Sequence, residues 1–163
     1  MISALICGLV FTRCGDDYVN NIEGLRKHNQ KKISITEGIW GTLVQTEGNC
    51  MPGVSGGIFG KNKSCKQYPI QREIEVYEYT TWEETEYTYP PFFEKVYTKL
   101  IATITCDKEG FFELELKPGK YSVFIKENEL LYANSYYGQG IMPVTVETSK
   151  ISEINLNLDD ASY

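Results

Sequence analysis

The clearest pattern of apolar and polar positions lies at residues 105–125. Phe112, Leu114 and Leu116 alternate with Glu113, Glu115 and Lys117, the period of two of a strand with one buried face. Asp107-Lys108-Glu109-Gly110 before it and Lys117-Pro118-Gly119-Lys120 after it are turn sequences, with Gly110 able to take the positive φ that a hairpin loop often needs. Tyr121, Val123 and Ile125 mark one face of the next strand. The pattern predicts three pieces of antiparallel sheet joined by two tight turns, with Phe112 buried and Glu113 facing outward.

The same period recurs along the chain. Ile33 and Ile35 alternate with Ser34 and Thr36, and a second strand is expected over 38–44, where internal glycines point to a bulge or a close backbone approach. Gly48 and Asn49 read as the turn that follows. In 73–79, Ile74 and Val76 share one face while Glu73, Glu75, Tyr77 and Tyr79 share the other. Residues 81–85 turn the chain, and 86–89 read as a returning strand that Pro90 and Pro91 stop. Leu100, Ala102 and Ile104 alternate towards Cys106, which is expected to be a buried free thiol. Segments 141–146 and 151–158 read as a closing pair joined by 147–150. Residues 18–32 are polar, with Val19, Ile22 and Leu25 as their only aliphatics. A short amphipathic helix through that spacing is one reading, and a flexible tether is the preferred one.

Length and charge narrow the picture. A chain of 163 residues is expected to form one domain with an adequate core. Its net charge of −6 argues against binding a phosphate backbone, so no nucleic-acid partner is expected. Twelve tyrosines and abundant β-formers favour strand over helix. The expected fold class is all-β, built on antiparallel sheet with one face in a core.

The series Asp107-x-x-Gly110-x-Phe112, then Leu116-x-Pro118-Gly119-x-Tyr121-x-Val123, resembles the carboxypeptidase regulatory-like domains. Gly41-Thr42-Leu43-Val44, Met51-Pro52-Gly53-Val54 and the ending Val144-Thr145-Val146 with Ile154, Leu156 and Leu158 fit the same family. The resemblance spans 38–159 and implies a transthyretin-like (prealbumin-like) fold, an antiparallel, Greek-key-like sandwich of about seven strands. It departs from the minimal domain at about 57–99, read as an insertion. It also implies a non-catalytic role, because such domains accompany catalytic or transport domains without doing the chemistry. The partner of this chain is then a separate molecule.

The apolar run 1–11 is too short for a bilayer span, which takes about 20 residues, and matches the apolar core of a secretory signal. With Cys14 following it, and then Asp16 and Asp17, it looks like a bacterial lipoprotein signal. The expected layout is a signal-like segment 1–13, a polar tether 14–32 lipid-anchored through Cys14, and a sandwich 33–163. The resemblance implies the bacterial outer membrane or cell surface, or otherwise the periplasm, with the membrane as a partner through the anchor. Cys50 and Cys65, which bracket a Gly-rich stretch, are the favoured disulfide in an exported protein, although pairings with Cys106 are also conceivable. Closing that loop is worth roughly 3 kcal/mol.

Eight aromatics fall between Tyr77 and Tyr97, interspersed with glutamates. Tyr77, Tyr79, Trp82, Tyr87 and Tyr89 are the candidate binding residues. Such rings anchor a protein partner or stack on sugars; they also form strands and cover a sandwich. A protein-binding or scaffolding role is preferred, with a glycan-binding module around Trp82 as the alternative and the 132–137 loop as the next candidate surface. No catalytic residue, metal site or cofactor is expected. The cysteine spacing fits no zinc pattern, Gly56–Ser64 lacks the Gly-Lys-Ser/Thr order of a phosphate loop, and the sole histidine, His28, falls in the expected tether.

Overall fold

The computed structural model describes residues 21–50 and 65–162. These form one helix, α1 (Ile22–Gln30), and fifteen strand segments. The first segments are β1 (Gly38–Asn49), β2 (Lys66–Pro69), β3 (Glu73–Glu78), β4 (Thr85–Glu86), β5 (Phe92–Phe93) and β6 (Lys95–Val96). Next come β7 (Leu100–Thr105), β8 (Phe111–Glu115), β9 (Gly119–Glu127), β10 (Leu130–Tyr132) and β11 (Tyr136–Tyr137). The last are β12 (Gly140–Ile141), β13 (Pro143–Val146), β14 (Ile151–Glu153) and β15 (Leu156–Ser162).

The fold is an all-β sandwich. In the first sheet β1 is the central strand, with β8 and β2 antiparallel along one side. Along its other side β14 and then β15 run parallel to it, a departure from the purely antiparallel expectation. The second sheet runs β5-β10-β9-β3-β7, with β13 also on β9. Between the sheets lie Ile39, Leu43, Phe112, Leu156 and Leu158 from the first, facing Ile74, Val76, Val123, Ile125 and Tyr132 from the second. Phe112 is buried and Glu113 sits on the opposite face of β8, as its alternation predicts.

The two turns within 105–125 are not hairpins. β7 belongs to the second sheet, β8 to the first and β9 to the second, so each turn carries the chain across the core. Alternation could not separate these cases, because a strand that crosses the sandwich buries the same inner face as one that pairs with its neighbour. The turn chemistry itself holds. Gly110 has φ +69°, and a Cβ there would also collide with the Leu43 carbonyl of β1. The Asp107 carboxylate accepts the Glu109 and Phe111 amides at 2.8 and 2.9 Å.

Other expectations are corrected. Residues 33–36 form no strand, and β1 runs on through Gly48 and Asn49 to pair with β15, so no turn occurs there. Segments 141–146 and 151–158 end in opposite sheets, so 147–150 is a crossing and not a hairpin. Segment 86–89 does not return along β3, whose two sides are taken by β7 and β9; β4 pairs with β6. The glycine reading is met at Gly41, where a Cβ would run into Phe112 and the Ile154 carbonyl.

Both outer faces of the sandwich are covered. Residues 21–32 are not a tether but the cap of the first sheet. Asn21 caps α1 by accepting the Gly24 amide at 2.8 Å, Leu25 is fully buried, and Asn29 donates to Thr42 Oγ1 and the Glu109 carbonyl, each at 3.0 Å. Its few aliphatics gave α1 little periodicity, and hydrogen bonds supply what apolar area does not. The second sheet is covered by aromatic residues, which is why Ser122 and Phe124 of β9 are as buried as Val123 and Ile125. The signal-like segment 1–13, Cys14 and residues 51–64 lie outside the described residues.

Candidate recognition surface

The aromatic covering starts where β3 ends. Thr80 is buried, its amide bonded to Ser122 Oγ at 3.0 Å and its hydroxyl to the Glu78 carbonyl at 2.8 Å. Trp82–Glu84 then forms a 3-10 turn, the turn expected at 81–85. The Glu84 carboxylate accepts both the amide and the hydroxyl of Thr81 at 2.9 Å, closing a local box that fixes the Trp82 backbone. The β4–β6 pair brings the chain back, and Tyr89 bridges to Phe92 across the two prolines.

Phe93 is the buried centre of this layer. Its ring meets Phe124 at 5.7 Å between centroids, Trp82 at 5.6 Å and Tyr87 at 5.8 Å. Tyr77 stands edge-on to Phe124 at 5.6 Å, and Tyr136 meets Trp82 at 4.7 Å. Residues 82–93 and the 132–137 segment therefore meet in one surface, although the sequence offered them as separate candidates. Around Trp82 the interplanar angles are 70°, 45° and 37°, so these rings form an interlocked cluster and not a flat strip.

Comparison with protein-family models, with curated proteins and with solved structures found no match.

The structure divides the candidate binding residues. Tyr77 is only 9% exposed and its hydroxyl donates to Glu75 at 2.5 Å. Burial first, and then the Glu75 carboxylate, push its ionisation well above the ordinary tyrosine range. It is a packing residue in the described chain. Tyr79 and Trp82 are half-buried, whereas Tyr87 and Tyr89 are exposed, Tyr89 at 75%. The sequence reading passed over Phe93 and Phe124, which organise the cluster. For Phe124 a signal was available, since β9 reads Tyr-Ser-Val-Phe-Ile, apolar at consecutive positions where a one-faced strand would alternate.

Cys50 and Cys65 form a disulfide. Cys106 is a buried free thiol that contacts the Ile70 and Arg72 carbonyls at 3.3 and 3.2 Å, and burial raises its pKa. His28 lies on the docked helix, 3.3 Å from the Glu109 carboxylate. It belongs to the folded body, so its position in the chain no longer argues against a role in chemistry.

Proposed function

We propose that this chain is a non-catalytic, exported protein-binding module, anchored by a lipid on Cys14 and presenting the rim of its aromatic layer to a protein partner. One observation carries this reading. Among the described residues the exposed large hydrophobic side chains are Tyr87, Tyr89, Tyr97, Leu100, Ile101, Tyr136 and Tyr137, and all belong to the second-sheet side. Apolar exposure gathered on one side is what a recognition surface requires. The interlocked ring angles favour a protein surface over a planar sugar platform at Trp82. The region also runs into β7, which among the described residues is a sheet edge paired only with β3 and which carries no charge, proline or glycine from Leu100 to Thr105. Such an edge lacks the usual defences against strand addition. The carboxypeptidase regulatory-like resemblance fits the same role.

The test places a photo-crosslinking residue at Tyr89, at Tyr97 or, as a control on the first sheet, at Glu153, in the intact protein in its native envelope. A discrete protein adduct from the first two positions and none from the third is expected. No adduct, or the same adducts from all three, overturns the reading. Separately, Cys14→Ser is expected to move the protein out of the membrane fraction, and unchanged membrane retention would remove the anchor from the proposal.

A further inference from the structure

Beside the aromatic cluster lies a cleft of about 540 Å³ whose lining includes Tyr79, Lys120, Ser135, Tyr137 and Thr145. Strand register builds its floor. Lys120 of β9 pairs with Thr145 of β13, and Glu78 pairs with Tyr121, which puts Tyr79 beside Lys120 on the next strand. Lys120 has the same parity along β9 as Ser122 and Phe124, so this row lies on the outer face of the second sheet. The Lys120 ammonium stands 6.0 Å from the Tyr79 ring.

The β11–β12 hairpin forms the wall. Gly140 packs so closely on Tyr79 that a Cβ there would come within 2.6 Å of the ring, so a glycine at this point both admits the hairpin and holds the tyrosine in place. Tyr137, paired with Gly140, is 83% exposed and leaves its ring open to a ligand.

The chemistry of this lining is specific. In a chain of net charge −6, the described residues that line the cleft include one cation and no carboxylate. Its other polar groups are the hydroxyls of Ser135, Thr145 and the two tyrosines, which both donate and accept. Lys120 sits on β9, an inner strand flanked by β3 and β13, so its own backbone lies within the sheet. A pyranose asks for an exposed ring against its C–H face and hydroxyls around its rim, and a carboxylated sugar adds an anion for the ammonium. The volume lies within the range of small-ligand clefts, roughly 300–1,000 Å³.

We propose that the Tyr79–Lys120–Tyr137 cleft binds an acidic saccharide, with Lys120 taking the sugar carboxylate and Tyr137 stacking on the ring. This site shares Tyr137 with the aromatic rim but has its own ligand class, and it does not depend on the protein-binding reading.

The test is calorimetric titration of the purified full chain with a panel of galacturonate, glucuronate, mannuronate and sialylated oligosaccharides, each alongside its neutral methyl ester. At least one acid is expected to bind, and its ester to bind about tenfold or more weakly. Lys120→Ala and Tyr137→Ala are each expected to weaken the acid by about tenfold, with Lys120→Arg and Tyr137→Trp retaining it. Both residues are exposed, so these variants should fold, and unchanged circular dichroism spectra will check that. Glu115→Ala, on the other sheet, should bind like the parent. The proposal is overturned if no acid on the panel binds at millimolar concentration, if esters bind as well as acids, or if binding survives loss of Lys120 and Tyr137.

Discussion

The two coverings of the sandwich do the same job by different physics. Over the first sheet, α1 buries one leucine and is held by polar contacts: Asn29 to Thr42 and Glu109, Lys32 to Asp107 and Glu109, and Ser34 to Glu113. Over the second sheet, Phe93, Phe124, Trp82, Tyr87 and Tyr136 pack ring against ring. A polar cap uses few apolar groups and leaves none of the large ones exposed. An aromatic cap seals its centre, but its outermost rings have no next ring to pack on. The exposed tyrosines are the rim of that second kind of cap, which is how a packing solution leaves a surface suited to recognition.

If this contrast is right, truncating the centre of the aromatic cap should cost most. Phe93→Ala is expected to lower stability by about 3–5 kcal/mol, the range for a buried aromatic, read as a shift of the urea midpoint. Asn29→Ala should cost about 1–2 kcal/mol, because it orphans the Glu109 carbonyl while removing an Oδ1 that has no partner of its own. Equal costs would mean that the caps do not differ in kind.

pH should separate the caps next. Burial alone would raise Asp107, but Lys32 and the Phe111 and Glu109 amides outweigh it and hold its pKa below the ordinary aspartate value. Glu113 is likewise lowered, with Ser34 and the Ile35 amide outweighing burial. A carboxylate that titrates lower in the folded chain than in the unfolded one adds stability above the ordinary carboxylate range, and that stability is lost as pH falls through the folded value. In the aromatic cap the shifts have the other sign. Tyr77 is raised by burial and Glu75, and Tyr136 by burial and Tyr132. Their contribution is complete below the ordinary tyrosine range and disappears as pH climbs through the raised values. The chain's two tryptophans report the caps separately, since Trp40 pairs with Glu113 under the helical cap and Trp82 sits in the aromatic one. Single-tryptophan variants should show the Trp40 fluorescence changing before the Trp82 fluorescence as pH falls. In alkali both caps weaken, because burial alone would lower Lys32 but Asp107 and Glu109 outweigh it and raise its pKa. The reverse order in acid would contradict this assignment of the caps.

The smallest effect belongs to the rim. Tyr89→Ser should change the unfolding midpoint by less than about 0.5 kcal/mol, as for most surface substitutions. A loss comparable to that of Phe93→Ala would show that the rim is part of the packed centre.

How much of this was legible depended on which physical signal each segment carries. The all-β class, the buried Phe112, the Gly110 turn and the Cys50–Cys65 pair could be read from local alternation, turn chemistry and cysteine placement, whereas the sandwich was implied by the family resemblance. The pairing of strands could not, because the residues of β7, β8 and β9 look the same whether their turns fold back or cross the core. The helix was obscured by composition, since Leu25 and Asn29 do their work through contacts with residues far along the chain. For the surface, the tyrosines were visible as a cluster, but the order of burial among them is set by Phe93 and Phe124, which only the fold brings together. Lys120 carried no local signal, because its significance comes from its neighbours on β3 and β13.

The position of β1 also bears on the order in which the molecule assembles. Its partners include Leu156 and Leu158, more than a hundred residues downstream of Leu43 and Gln45. By contrast, β9 and β10 are joined by a tight hairpin and β3 meets β7 over a short separation. Chain closure becomes costlier with loop length, and non-local pairings form late. The first sheet should therefore be completed last, around a strand that precedes all of its described partners in the chain. Pulse-labelled hydrogen exchange during refolding, with the disulfide intact, should show protection in β9, β10 and β3 before β1 and β15. Until its last partners arrive, β1 has an open side on which a chaperone or a second unfolded chain could act, and variants that slow the second sheet should aggregate through that strand.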